Sequence, residues 1–174
     1  MPYNDLKYIS ERKKHLFLRD EIEEVIKAKN IGRGKFHEYS KQGYGDIISK
    51  FYFTFADIKN YPVGRQTLEE YNMHFREELY QEYIACSLNY ESHAGYIQAI
   101  KAGIPDEDKL FLILSDGWVY EGEKNAMFDV LEEVYDIRDF YIISPKFSWF
   151  TAVSKIEDSA CLYRQTSDKN ETAR

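Results

Sequence analysis

Residues 110–164 read LFLILSDGWVYEGEKNAMFDVLEEVYDIRDFYIISPKFSWFTAVSKIEDSACLYR, and the fold is decided by how this stretch alternates. The five apolar residues Leu110–Leu114 have the length of a buried strand. Ser115-Asp116-Gly117 supplies hairpin-turn chemistry, so Trp118-Val119-Tyr120 returns beside that strand. A helix over 123–135 then places Met127, Val130, Leu131, Val134 and Tyr135 on one face. Runs rich in β-branched and aromatic residues at 139–143, 148–153 and 159–163 predict three more strands, with turns near Pro145 and Asp158. Phe140 and Ile142 alternate with Tyr141 and Ile143, so both faces of that strand are apolar and it should be central, covered on both sides. Trp149 would cover the sheet from the neighbouring strand. The order strand–strand–helix–strand–strand–strand predicts an α+β fold, a mainly antiparallel sheet with helices packed on one face.

Working outward, Ser92–Ala102 reads as a helix stopped by Gly103, with Pro105 just beyond. Thr67 and Glu70 make a capping box, after which Leu68, Tyr71, Phe75, Leu79 and Tyr83 recur at helical spacing. That pattern predicts a helix running to about Cys86. A turn is expected at Asn60-Tyr61-Pro62 and Gly64. Asp46–Phe55, DIISKFYFTF, is rich in β-branched and aromatic residues and reads as a strand. Asp20 and Glu23 form another capping box ahead of Ile22, Val25 and Ile26, a helix ended by Asn30-Ile31-Gly32. Whether Ser10–Leu18 is a separate preceding helix stays open. The glycine-bearing stretch on to Gly45 reads as a loop.

The 174 residues suffice for one self-supporting core, expected over residues 1–164. The tail 165–174, QTSDKNETAR, has no apolar residue larger than Ala and is expected to be disordered. Aromatic residues make up 16% of the chain, with 15 Tyr, a type that suits both cores and partner-binding surfaces. Net charge is −7 but uneven: residues 1–60 hold 12 Lys and Arg against 9 Asp and Glu, whereas residues 61–174 hold 11 against 21. An acidic surface of that size repels nucleic-acid phosphates and favours basic partners. Two cysteines far apart in sequence make no disulfide framework, and no apolar run approaches membrane-spanning length. The expectation is a soluble cytoplasmic protein with no nucleic-acid or membrane partner.

Standard chemical constellations are missing. The sequence holds no Walker or dinucleotide phosphate loop, no GxSxG, no HExxH and no CxxC. The glycines of Ile31-Gly32-Arg33-Gly34-Lys35 follow a helix rather than a strand, so their amides would not converge on a phosphate. His74 with Glu77 and Glu78 would share a helical face, but a zinc site needs a third ligand. Asp106-Glu107-Asp108 offers carboxylates without the ligand alternation of a calcium loop. Cys86 and Cys161 have neither a nearby His nor a glycine turn and read as structural. Asp116 and Glu121 flank a hairpin, an exposed place for an acid–base pair. The expectation is no catalytic residue, no metal and no cofactor.

Two of these stretches carry a resemblance. Ser115-Asp116-Gly117-Trp118-Val119-Tyr120-Glu121-Gly122, and Phe140 through Phe150 after the helix, resemble a family of small uncharacterised bacterial proteins of the toxin-immunity type, over about residues 110–163. Thr151-Ala152-Val153-Ser154 departs from the Asn/His-rich turn of that family. The resemblance implies an α/β packing pattern and a non-enzymatic protein-binding role, with a basic toxin domain as partner. The partner-binding residues expected on this reading are Asp129, Glu132, Glu133 and Asp136 on one helix and Glu78 and Glu82 on the other. An enzyme with a carboxylate and tyrosine cleft, or a regulatory adaptor, is the alternative.

Overall fold

The computed structural model describes residues 13–40, 42–60, 74–115, 117–135, 137, 139–154 and 157–165. Its elements in chain order are α1 (Lys13–Ala28), β1 (Phe36–Glu38), α2 (Tyr44–Phe55), β2 (Tyr80–Cys86), a 3₁₀ turn (Ser87–Asn89), α3 (His93–Gly103), β3 (Lys109–Leu114), β4 (Val119–Glu123), α4 (Lys124–Leu131), β5 (Phe140–Ile143), β6 (Trp149–Ser154) and β7 (Ser159–Arg164). The strands form one seven-stranded sheet in the order β1-β4-β3-β5-β6-β7-β2, and every neighbouring pair is antiparallel. The α+β class and the antiparallel sheet are as the sequence predicts.

Register sorts the side chains into two faces. Phe111, Ile143, Phe150 and Tyr163 stand in one row across β3, β5, β6 and β7. Phe150 is fully buried at the middle of an aromatic cluster on that face. Its ring lies 5.1 Å from Phe51 and 4.6 Å from Phe55 of α2, 4.8 Å from Phe75 and 4.7 Å from a stacked Tyr163. The next row, Tyr120, Leu112, Ile142, Thr151 and Leu162, points the other way. There the Tyr120 hydroxyl donates to Glu23 of α1 at 3.1 Å. α4 touches both α1 and α3. α2 covers the second face, so helices lie on both faces where the sequence reading placed them on one; the doubly apolar β5 requires that second cover.

Helix α2 corrects the strand expected at Asp46–Phe55. Its buried residues, Tyr44, Ile48, Phe51, Tyr52 and Phe55, repeat at helical and not at twofold spacing. Burial of that stripe on Phe150 outweighs the β-propensity of its aromatic and β-branched residues. Strand β2 corrects the second half of the helix expected to run to Cys86. Tyr80–Cys86 pair with Arg164–Ser159 of β7, with a bulge between Tyr83 and Ala85. Residues 67–73, including the capping box, lie outside the described residues.

Smaller differences follow from the same packing. The loop expected before Gly45 contains β1, because Gly122 leaves room for it: a methyl there would collide with the Lys35 carbonyl and the Phe36 backbone. Asp20 is not a cap but lies within α1, which runs unbroken from Lys13. Asn30, at φ 53°, does end the helix, with the Ile31 amide reaching back to the Ile26 carbonyl. Helix α4 stops at Leu131, short of the expected 135. The Glu133 amide turns back to Val130, so Val134 stays buried while Tyr135 faces solvent. Helix α3 begins as predicted, its Ser92 hydroxyl accepting from the Gly95 amide at 3.0 Å. Gln165, which composition assigns to the tail, still donates to the Ser148 and Phe147 carbonyls; residues 166–174 lie outside the described residues.

Phe150→Ala should therefore empty the centre of the aromatic cluster and cost about 3–5 kcal/mol. Urea unfolding of the two proteins measures it, and a loss below about 1 kcal/mol would mean that the cluster does not hold α2 to the sheet.

Candidate functional site

Two places in the fold gather polar side chains. The first is a cleft of about 580 Å³ between α1 and β1, lined by Arg19, Glu23, Arg33, His37, Glu38 and Tyr39 among others. The 3.6-residue period of α1 puts Arg19 and Glu23 on one face, one turn apart. Glu38 accepts from Arg19 Nε at 2.9 Å and lies 2.7 Å from its Nη2, while the Tyr44 hydroxyl donates to its other oxygen. The Arg19 guanidinium also lies 5.0 Å above the Trp118 ring. Glu23 accepts from Tyr120. The carboxylates, the arginine and both hydroxyls thus satisfy one another, tying α1, β1, α2 and β4 together. Burial, and then the hydrogen bond to Glu38, push the Tyr44 phenol well above its ordinary range. Burial and the negative charges of Glu23 and Glu38 do the same to Tyr120. The hydrogen bond to Glu38 raises Arg19 further.

The acidic triplet at 106–108 is absorbed by structure. Asp106 meets Lys124 Nζ at 2.6 Å, and that hydrogen bond holds its carboxyl below the usual range. Glu107 Oε1 accepts from the Trp149 indole at 2.8 Å and from Ser144 Oγ at 2.7 Å. Its oxygens anchor the β5–β6 turn instead of awaiting a cation. No group of three or more His, Cys, Asp and Glu that could hold a metal ion occurs among the described residues. His74 sits beside an isolated bridge from Ala56 to Phe75, not on a helix with Glu77 and Glu78. Cys86 and Cys161 lie on one face of neighbouring strands, in the rows of Ser159 and Tyr83. Asp116 lies outside the described residues.

The second place is the outer strand β2 and the turn after it. Six large hydrophobic residues are exposed among those described, and four of them fall here: Tyr80 at 41%, Tyr83 at 58%, Leu88 at 80% and Tyr90 at 38%. Glu77, Glu78, Glu82 and Glu91 are exposed among them, and no Lys or Arg occurs from 77 to 91. Of the six predicted partner-binding residues, the structure brings Glu78 and Glu82 to this edge, in a turn and on β2. Arg76 stands 4.0 Å from Glu78, at the limit of an exposed ion pair. The others sit elsewhere: Asp129 is exposed on α4, Glu132 and Glu133 follow its end, and Asp136 lies outside the described residues. Glu133 is partly neutralised by Lys29 at 3.5 Å. Sequence reasoning missed Tyr80, Tyr83 and Tyr90, because helical spacing assigned Tyr83 to a buried stripe. The signal available was the alternation of charge and aromatic ring in EELYQEY.

Residues 14–174 match a family described as "Family of unknown function (DUF6756)", and the chain belongs to it. No curated protein and no solved structure matches the chain. Among the described residues no helix is long and apolar enough to cross a membrane.

The cleft makes a prediction about alkaline pH. A phenol whose folded pKa lies above its unfolded value stabilises the fold fully below the unfolded value, and that stability is lost as pH rises from about 10 toward the folded value. Wild-type stability should fall between about pH 9 and pH 11, and less steeply in Tyr44→Phe and Tyr120→Phe. Denaturant midpoints across that range measure it; identical slopes in all three proteins would show that neither phenol is held protonated by the cleft.

Proposed function

We propose that this DUF6756 chain is a non-enzymatic protein-binding protein of the immunity type, which neutralises a basic protein toxin by covering its active surface. The observation that carries the reading is the edge at Tyr80–Tyr90, where four exposed large hydrophobics stand among four exposed glutamates with no cation between 77 and 91. Tyrosines supply large contact area at low conformational cost. Carboxylates around them select a basic partner and raise its association rate, to as much as about 10⁸ M⁻¹s⁻¹. Nucleic acid does not suit such a face, because its phosphates meet like charge. Residues 61–174, which carry the excess of acid, contain the whole edge. The resemblance of residues 110–163 to toxin-immunity proteins points the same way, and the cytoplasm is where such a protein would meet its toxin. A regulatory adaptor would use the same surface.

Within this reading Glu78 and Glu82 are the stronger contacts. Asp129, Glu132 and Glu133 offer a second acidic contact, weakened where Lys29 approaches Glu133; Asp136, expected with them, lies outside the described residues. One observation favours an enzyme instead, the convergence of Glu23, Glu38, Tyr44, Tyr120 and Arg19 on one cleft. Against it, these groups already satisfy one another.

The test is binding kinetics with any basic protein found to be encoded beside this chain. Glu78→Lys with Glu82→Lys should slow association by about tenfold at low salt, with the defect shrinking above about 0.15 M. Tyr83→Ala should instead speed dissociation. Association that ignores salt and both charge reversals, at 78 and 82 or at 129 and 133, would overturn the electrostatic reading and move the cleft ahead.

A further inference from the structure

We infer that β2 takes its partner as an added strand: an extended segment bearing Lys or Arg at alternate positions hydrogen-bonds along the outer edge of β2. This rests on the binding reading above and specifies its mode. Sheet order puts β2 at the end, its inner edge paired with β7 from Tyr80–Arg164 to Cys86–Ser159. Among the described residues no strand pairs with its outer edge. In an antiparallel pair successive residues turn their backbone N–H and C=O groups to opposite edges, so half of those of β2 point away from β7.

The side chains define the occupant. Gln81 and Tyr83 share a face with Tyr163 and Cys161, while Tyr80 and Glu82 share the other with Arg164 and Leu162. All four residues from Tyr80 to Tyr83 are exposed. An added strand with a cation every second residue would set those cations beside Glu82 on one face, leaving its other face against Tyr83. A second copy of this chain fits badly, because β2 carries a glutamate and no lysine or arginine and so supplies no cation to its own copy. Charge and a bulge on an edge strand also guard against aggregation, and β2 has both. A guard alone does not account for exposed Tyr80 and Tyr83 on the same four residues. The opposite edge, β1, is three residues long, and its Glu38 is held by Arg19 and Tyr44.

The experiment uses the full chain and a synthetic peptide of about eight residues, the length of a long strand, alternating lysine and valine. Tyr80→Pro and Gln81→Pro each remove one N–H, and these point to opposite edges, so one variant loses stability by breaking a β7 bond while the other unfolds like wild type. The stable variant should bind the peptide about tenfold more weakly than wild type, and peptide should slow amide exchange at β2 in wild type only. Glu82→Lys is measured in parallel. Peptide binding that is lost in Glu82→Lys but unchanged in the stable proline variant, with no new amide protection, would overturn strand addition and leave the binding reading intact. Binding indifferent to both changes would remove this edge from the binding reading as well. No binding at low salt would overturn strand addition outright.

Discussion

A strand that is apolar on both faces must be covered twice, and β5 imposes that constraint on everything around it. Phe140, Tyr141, Ile142 and Ile143 are all buried, with β3 and β6 on either side of them. One cover comes from α1, α3 and α4, and the other from α2 and Phe75 on the aromatic row of Phe150. Left bare, the Phe150 face would be a large apolar patch of the kind soluble monomers avoid. The aromatic cluster therefore fixes where α2 lies, and α2 in turn fixes Tyr44 at the rim of the α1 cleft.

That dependence explains which parts of the fold were legible in the sequence. From Leu110 to Arg164 each strand neighbours another of the same stretch, so local alternation and turn chemistry sufficed. Gly103 and Pro105 marked where α3 stops. Asp46–Phe55 was misread because seven of its ten residues are aromatic or β-branched and satisfy strand propensity, while its burial follows helical spacing; only the partner surface decides. Tyr80–Cys86 was misread for a related reason. Its sole strand partner among the described residues is β7, more than seventy residues away, and no local pattern encodes so distant a ladder. The candidate site shared this fate. Its glutamates were visible as charge, but its tyrosines were hidden by assignment to a helix they do not form.

The acidic residues divide into two populations. Asp106 and Glu107 looked available for chemistry, yet they are occupied by an ammonium and an indole, as Glu38 is by a guanidinium. Glu38 and Glu107 lie partly beneath the surface, where partnering a carboxylate avoids the cost of an unpaired charge, so these two serve the fold. Glu77, Glu82 and Glu91 remain exposed at the strand edge. Part of the acidic excess of the second half of the chain is thus left exposed beside aromatic rings.

The pairing of β2 with β7 also sets an order of events during synthesis. Tyr80–Cys86 leave the ribosome before Ser159–Arg164 have been made, and at roughly 5–20 residues per second the interval lasts several seconds. Throughout it the nascent strand lacks its β7 partner. The glutamates beside Tyr80 and Tyr83 then act as gatekeepers, keeping neighbouring nascent chains on a polysome from pairing before the last strand arrives.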